Sequence, residues 1–171
     1  MKTYHIITIG CQMNVSDSER VASYLENLGY SWTDDKNNSD VVITTTCGVR
    51  QSAENRIYSL IPDIKKNNPA CKVVLTGCLS DRPDVQRRLK DDVDIWMPIA
   101  KLETLAVELG EEKSELPESG SLSGYLKIQP KYQSTFSAFV QIGNGCNNFC
   151  TYCVVPYARG RETYREAAEI L

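Results

Sequence analysis

The chain has 171 residues, 42% of them hydrophobic and 24% charged, with a net charge of -3. That length suits one domain of ordinary size plus a further piece and excludes a complete multidomain enzyme, while the composition excludes wholesale disorder. Apolar runs such as Val41-Val42-Ile43 stop after a few residues, far short of the ~20 needed to cross a bilayer, so no transmembrane helix is expected. The N-terminal stretch has no small-residue cleavage site behind its apolar residues, and it reads as the first strand of a cytoplasmic protein.

Strands and helices alternate from the start. Residues 3–9 form the first expected strand. A helix is expected from Ser16, because Ser16-Asp17-Ser18-Glu19 offers a capping hydroxyl and a glutamate three residues on. Val21, Tyr24, Leu25 and Leu28 then recur at helical spacing, and Gly29 ends the helix. Residues 40–46 are β-branched after Asp40 and read as the second strand. A helix follows over 51–66, interrupted or kinked near Pro62. Strands over 72–76 and 94–97 alternate with helices over 83–90 and 101–109. Nearly continuous apolar strands separated by helices imply an α/β fold, an open parallel sheet with helices on both faces.

Composition shifts to charged and small residues over 110–124, the mark of a linker or exposed loop. The expected organisation is therefore a domain over 1–110, a linker over 111–134 and the start of a second domain over 135–171. In that last part a strand over 135–142 is expected, then a cysteine-bearing loop, then a helix from about Thr163. One strand, one loop and one short helix cannot bury a core of their own.

Charge is unevenly spread. Residues 1–120 carry 14 Lys/Arg against 19 Asp/Glu, and residues 121–171 carry 5 against 3. Neither part has the basic footprint of an independent nucleic-acid binder.

Seven cysteines, an odd number without a signal peptide, point to reduced thiols or metal ligands in preference to disulfides. Cys146, Cys150 and Cys153 form a Cys-x3-Cys-x2-Cys run directly after an expected strand. Three thiolates in one loop can each hold one iron of a cubane cluster and leave the fourth iron open for a ligand. Structural zinc asks for four ligands, and the only histidine is His5 on the first strand. A second set, Cys11, Cys47 and Cys78, has each cysteine just after an expected strand and beside a glycine. In an open parallel sheet ligands gather outside the carboxyl ends of the strands, so these three would meet at one edge. Cys71 precedes its strand, at the opposite edge, and reads as structural. The loop after the first strand has one glycine and no Gly-x-Gly-x-x-Gly pattern, which disfavours a flavodoxin-like phosphate cradle.

The Cys146–Cys153 run, with Tyr152 before its last cysteine, resembles the radical S-adenosylmethionine superfamily. The three strand-end segments resemble the N-terminal domain of its methylthiotransferase family, and the resemblance covers essentially all 171 residues. Gly10-Cys11-Gln12-Met13-Asn14 and Cys150-Thr151-Tyr152-Cys153-Val154-Val155-Pro156-Tyr157 are most similar to the branch that methylthiolates isopentenyladenosine beside the tRNA anticodon. Relatives acting on a ribosomal protein usually carry Pro-Lys-Asn after the first cysteine, and those acting on threonylcarbamoyladenosine tend toward Lys-Val-Asn.

The resemblance implies two 4Fe-4S clusters. Cys146, Cys150 and Cys153 would hold the radical cluster, and Cys11, Cys47 and Cys78 an auxiliary cluster that supplies or relays sulfur. It implies S-adenosylmethionine both as methyl donor and as radical source, with Tyr152 beside that cofactor or, alternatively, packing against the loop. It also implies a tRNA substrate and an electron donor such as flavodoxin or ferredoxin. Asn14, Asp17, Arg20, Asn55 and Arg56 are candidates for a substrate channel, or else caps and solvated helix faces. Arg159 and Arg161 are candidates for substrate phosphates or for ordering the loop. The family continues through a partial barrel into a small RNA-binding module, so 135–171 would be the first βα unit of a truncated barrel and the chain an incomplete, inactive portion of the enzyme. The rival from another class is a noncatalytic iron-sulfur or sulfur-carrier module.

Overall fold

In the computed structural model, which describes residues 1–112 and 124–171, the front of the chain is a parallel α/β sheet. Strand β1 (Thr3–Ile9) is followed by α1 (Gln12–Asn27), β2 (Ser31–Trp32), β3 (Val41–Thr46), α2 (Gln51–Asn67), β4 (Lys72–Gly77), α3 (Pro83–Leu89) and β5 (Ile95–Met97). The strand order is β2-β1-β3-β4-β5, and every neighbouring pair is parallel. All six residues of β3 are buried between β1 and β4, which is why a β-branched run with no polar face suits this central position.

Successive side chains of a strand point to opposite faces, and the core divides accordingly. Val41 and Ile43 join Val21, Tyr24 and Leu25 of α1 on one face. Val42, Val73 and Leu75 join Ile57, Ile61 and Ile64 of α2 and Val85 and Leu89 of α3 on the other. Helices thus cover both faces, as the alternating pattern predicts. After β5 the chain makes a 3-10 helix (Ile99–Thr104) and α4 (Leu105–Leu109), where one continuous helix was expected. Leu102, Leu105 and Leu109 return to the α1 face.

Other expectations are corrected here. Helix α1 begins at Gln12, not Ser16. Cys11 is its extended N-cap, and its backbone N–H donates to Asn14 Oδ1 at 3.1 Å. That satisfies one turn earlier the donor that a Ser-x-x-Glu box would have satisfied. Helix α2 runs through Pro62 without interruption. An interior proline costs about 3 kcal/mol, but Ile57, Ile61 and Ile64 are fully buried, each contributing roughly 1.5–3 kcal/mol. The two-residue edge strand β2 has too little pattern to be legible in advance.

Part of the expected linker, residues 113–123, lies outside the described residues. Beyond it, the 3-10 helix Gly124–Lys127 is packed, because Tyr125 and Ile128 fall on one side of it and join the α1-face core. Residues 135–142 form no strand, and Phe136, Phe139, Val140 and Ile142 are exposed. β propensity makes a strand only where a neighbour completes the ladder. The pairing there is a short antiparallel ribbon of β6 (Gly143–Asn144) with β7 (Thr163–Tyr164), enclosing α5 (Val155–Arg159). Thr163 therefore sits in a strand where a helix start was expected, and the last helix, α6, spans Ala167–Ile170. No helix among the described residues is long and apolar enough to cross a membrane.

Candidate functional site

Cys47 and Cys78 directly follow β3 and β4, and Cys11 follows β1 after Gly10, on three adjacent strands of the sheet. Their backbones gather at its carboxyl edge, where α1 and α2 leave toward opposite faces, the place where open parallel sheets bind ligands. One carbonyl ties the three segments. Thr46 O accepts from the Cys78 backbone N–H at 2.9 Å and from Asn14 Nδ2 at 3.0 Å. Asn14 Oδ1 in turn accepts from the Cys11 N–H and lies 3.3 Å from Cys11 Sγ.

Two glycines make the space for this tie. A Cβ on Gly10 would stand 2.1 Å from Asn14 Oδ1 and 3.0 Å from Cys47 Cβ. A Cβ on Gly77, whose φ is +90°, would stand 2.4 Å from Thr46 O. Asn14 is fully buried, so its amide cannot turn to water for substitutes. Asn14→Ala is expected to lower unfolding stability by about 1–3 kcal/mol, the cost of buried groups left unpaired. A urea midpoint that does not move, at unchanged slope, would count against Asn14 as the tie.

The second cysteine set sits in the loop between β6 and β7. Gly145 turns the chain at a φ of +77°, with no room for a side chain because a Cβ would meet Arg161 O at 2.2 Å. The Cys146 N–H donates to Gly160 O at 3.2 Å, and the Cys153 N–H donates to Cys150 O at 2.9 Å. Asn144 Nδ2 donates to Arg159 O at 3.0 Å, and Asn148 Nδ2 lies 3.4 Å from Cys146 Sγ. Cys150 is exposed, and Cys146 and Cys153 are partly so. A shallow cleft lined by Gly143, Asn144, Cys146, Asn148, Glu162 and Tyr164 opens beside Cys146. Tyr152 is 90% exposed, so it packs little against the described residues.

The two cysteine sets are neighbours. A Cβ on Gly48 would be 3.1 Å from Cys78 Cβ and 3.1 Å from Val154 Cγ1, so Gly48 is the slot where the loop meets the sheet edge. Arg159, at the end of α5, reaches back to α1 and donates from Nη2 to Asp17 Oδ2 at 2.6 Å. That pair is almost wholly removed from solvent, with side chains 6% and 0% exposed. Burial pushes the Asp17 carboxyl up, opposed chiefly by Arg159. Burial also works against the charge of Arg159, but Asp17 and then Cys78 outweigh it and hold the guanidinium above its ordinary value. With a guanidinium in direct contact, the pair is ionic.

Among the channel candidates, Asn14, Asp17 and Arg20 are buried inside the domain, and Asn55 and Arg56 are exposed on α2. Among the described residues, no three His, Cys, Asp or Glu side chains are arranged around a single metal ion. A cubane asks for something different: three thiolates, each on its own iron, spaced by the width of the cluster. Each cysteine set has the soft donors that such a cluster takes, and neither has the fourth ligand of a closed zinc site. Residue-type patterns missed the role of Thr46 and, although Arg159 was a candidate for ordering the loop, missed its pairing with Asp17. A backbone carbonyl carries no residue-type signal, and Asp17 is 142 residues from its partner.

Residues 3–98, the parallel-sheet part, match the model of a family described as "Uncharacterized protein family UPF0004". The chain belongs to that family. A protein of Syntrophomonas wolfei named tRNA-2-methylthio-N(6)-dimethylallyladenosine synthase is 39% identical over 178 aligned positions, covering 98% of this chain and 40% of that protein. Proteins of the same name from Dictyoglomus thermophilum and Mycobacterium tuberculosis are 38% and 39% identical, over 100% and 99% of this chain. They are covered to 41% and 33% of their own length. The chain thus spans between a third and about two fifths of the length of these three relatives.

Proposed function

We propose that this chain is the front portion of an enzyme that methylthiolates isopentenyladenosine beside the anticodon of tRNA. The observation that carries the reading is the juxtaposition of two three-cysteine sets across the Gly48 slot, one at the sheet edge and one in the β6–β7 loop. Relatives named for that product match nearly the whole chain, including both sets. Cys146, Cys150 and Cys153 would hold one 4Fe-4S cluster, leaving one iron to take S-adenosylmethionine, with Tyr152 a candidate contact to that cofactor. Cys11, Cys47 and Cys78 would hold the other. When bound, these groups supply the radical and sulfur-insertion chemistry.

The chain's own residues do the positioning. Asn14 and Thr46 O hold the three strand ends in register, Gly10 and Gly77 let them approach, and Gly145 with the β6–β7 ribbon closes the second loop. The slightly basic tail is too sparsely charged to bind tRNA by itself, so the substrate surface belongs to the longer protein. Reduction calls for a one-electron donor of the flavodoxin or ferredoxin class.

The test uses the longer protein that carries this segment, expressed in cells lacking the modification, with tRNA nucleosides read by mass spectrometry. The methylthio nucleoside is expected with the native sequence and absent with Cys150→Ala. Unmodified isopentenyladenosine in cells whose protein carries both clusters would overturn the reading. A methylthio group on threonylcarbamoyladenosine or on a ribosomal protein would move the assignment to another branch.

A further inference from the structure

The Asp17–Arg159 pair is more than a clamp between two elements. Among the described residues, one of its polar atoms, Arg159 Nη1, is buried without a hydrogen-bond partner. Nearby, Tyr125 Oη accepts from Gln141 Nε2 at 3.0 Å, and Tyr125 and Arg20 both interact electrostatically with Asp17. Burying such a pair costs several kcal/mol per ion unless the remaining donors and acceptors are used. The guanidinium has a spare donor and sits on the helix that begins where Val154 enters the Gly48 slot beside Cys78.

We propose that Arg159 is a positioning residue shared by the two cysteine sites: anchored by Asp17, it keeps its charge and its uncommitted Nη1 beside the sheet-edge site and raises the reduction potential of a cluster held by Cys11, Cys47 and Cys78. This rests on the two-cluster reading above. Taking up one electron adds a negative charge at the site, and a fixed positive charge or an N–H donor to sulfur favours the reduced form. Because the pair is buried, solvent and salt screen its charge less than they would a surface charge. The same residue follows the Cys146–Cys153 loop by six positions, so displacement of that loop would move the charge away from the other site.

The test uses the whole chain carrying Cys146→Ala, Cys150→Ala and Cys153→Ala, so that only the sheet-edge cluster reports. It is reconstituted anaerobically and titrated with a reductant while the reduced cluster is followed by electron paramagnetic resonance. Arg159→Gln is expected to move the midpoint potential to a more negative value. Asp17→Asn, which leaves the guanidinium uncompensated, is expected to move it the other way, and Arg159→Lys is expected to stay nearest the parent. Asp17→Asn combined with Arg159→Gln removes the ion pair without stranding a buried charge, and it too should titrate below the parent. Iron retained with unmoved potentials, or with shifts of one sign in Arg159→Gln and Asp17→Asn, would leave Arg159 a structural residue and overturn the inference alone. A parent chain that holds no iron at the sheet edge would overturn both the site and the inference.

Discussion

Reconstituted anaerobically with iron and sulfide, the chain is expected to hold about eight irons per molecule, two cubanes of four. The variant with alanine at Cys146, Cys150 and Cys153 is expected to hold about four, and so is the variant with alanine at Cys11, Cys47 and Cys78. The two losses should add, because the sites draw on separate scaffolds. One set hangs from three strand ends of a sheet with core on both faces, the other from a loop closed by the β6–β7 ribbon. The sites are neighbours but share no cysteine, so removing one set leaves the ligands of the other in place. A native chain that holds only about four irons, all lost with the loop cysteines, would remove the sheet-edge assignment. Loss of all iron in either variant would mean one shared site.

Gly77→Ala is expected to be among the most damaging single substitutions at the sheet edge, and Gly110→Ala among the mildest glycine replacements. Both residues adopt positive φ, +90° and +80°, and that conformation alone costs a residue with a Cβ about 1–2 kcal/mol. The difference lies in what the new Cβ meets. At Gly77 it stands 2.4 Å from Thr46 O and 2.8 Å from Thr46 N, both backbone atoms of the adjacent central strand, whereas at Gly110 nothing lies within 4 Å. Relief at Gly77 requires β4 to move away from β3 just where Cys78 donates to Thr46 O. The expected loss of unfolding free energy is at least about 3 kcal/mol for Gly77→Ala, since steric overlap adds to the backbone cost, against about 1 kcal/mol for Gly110→Ala. Iron at the sheet-edge site should fall with the first and not with the second. Equal urea midpoints for the two variants would refute the packing argument.

Much of the fold was legible from local pattern. The β-branched run at 41–46, the helical spacing of Val21, Tyr24 and Leu25, and Pro83 at the start of α3 each record a short-range preference that the tertiary structure keeps. The miss at 135–142 has the opposite cause. Phe136, Phe139, Val140 and Ile142 have strand propensity, but propensity supplies no neighbour, and only Ile142 at its end, whose carbonyl accepts from the Arg165 N–H at 2.9 Å, reaches the β6–β7 ribbon. The start of α1 was misplaced by four residues because an asparagine at the third helical position did the work assigned to a glutamate further on.

By itself, the sequence determined the parallel α/β class, the two groups of three cysteines and their positions just after strands or in a single loop, since each of these depends on residue type and spacing along the chain. Only the tertiary structure decided that Cys78 and Val154 share the Gly48 slot, that the Thr46 carbonyl binds three strand ends, and that Arg159 closes on Asp17. The hydrogen bonds among them join residues as far as 32 and 142 positions apart. No local periodicity encodes them, because they arise where the sheet order carries distant strand ends to one edge and burial leaves their polar groups only one another as partners.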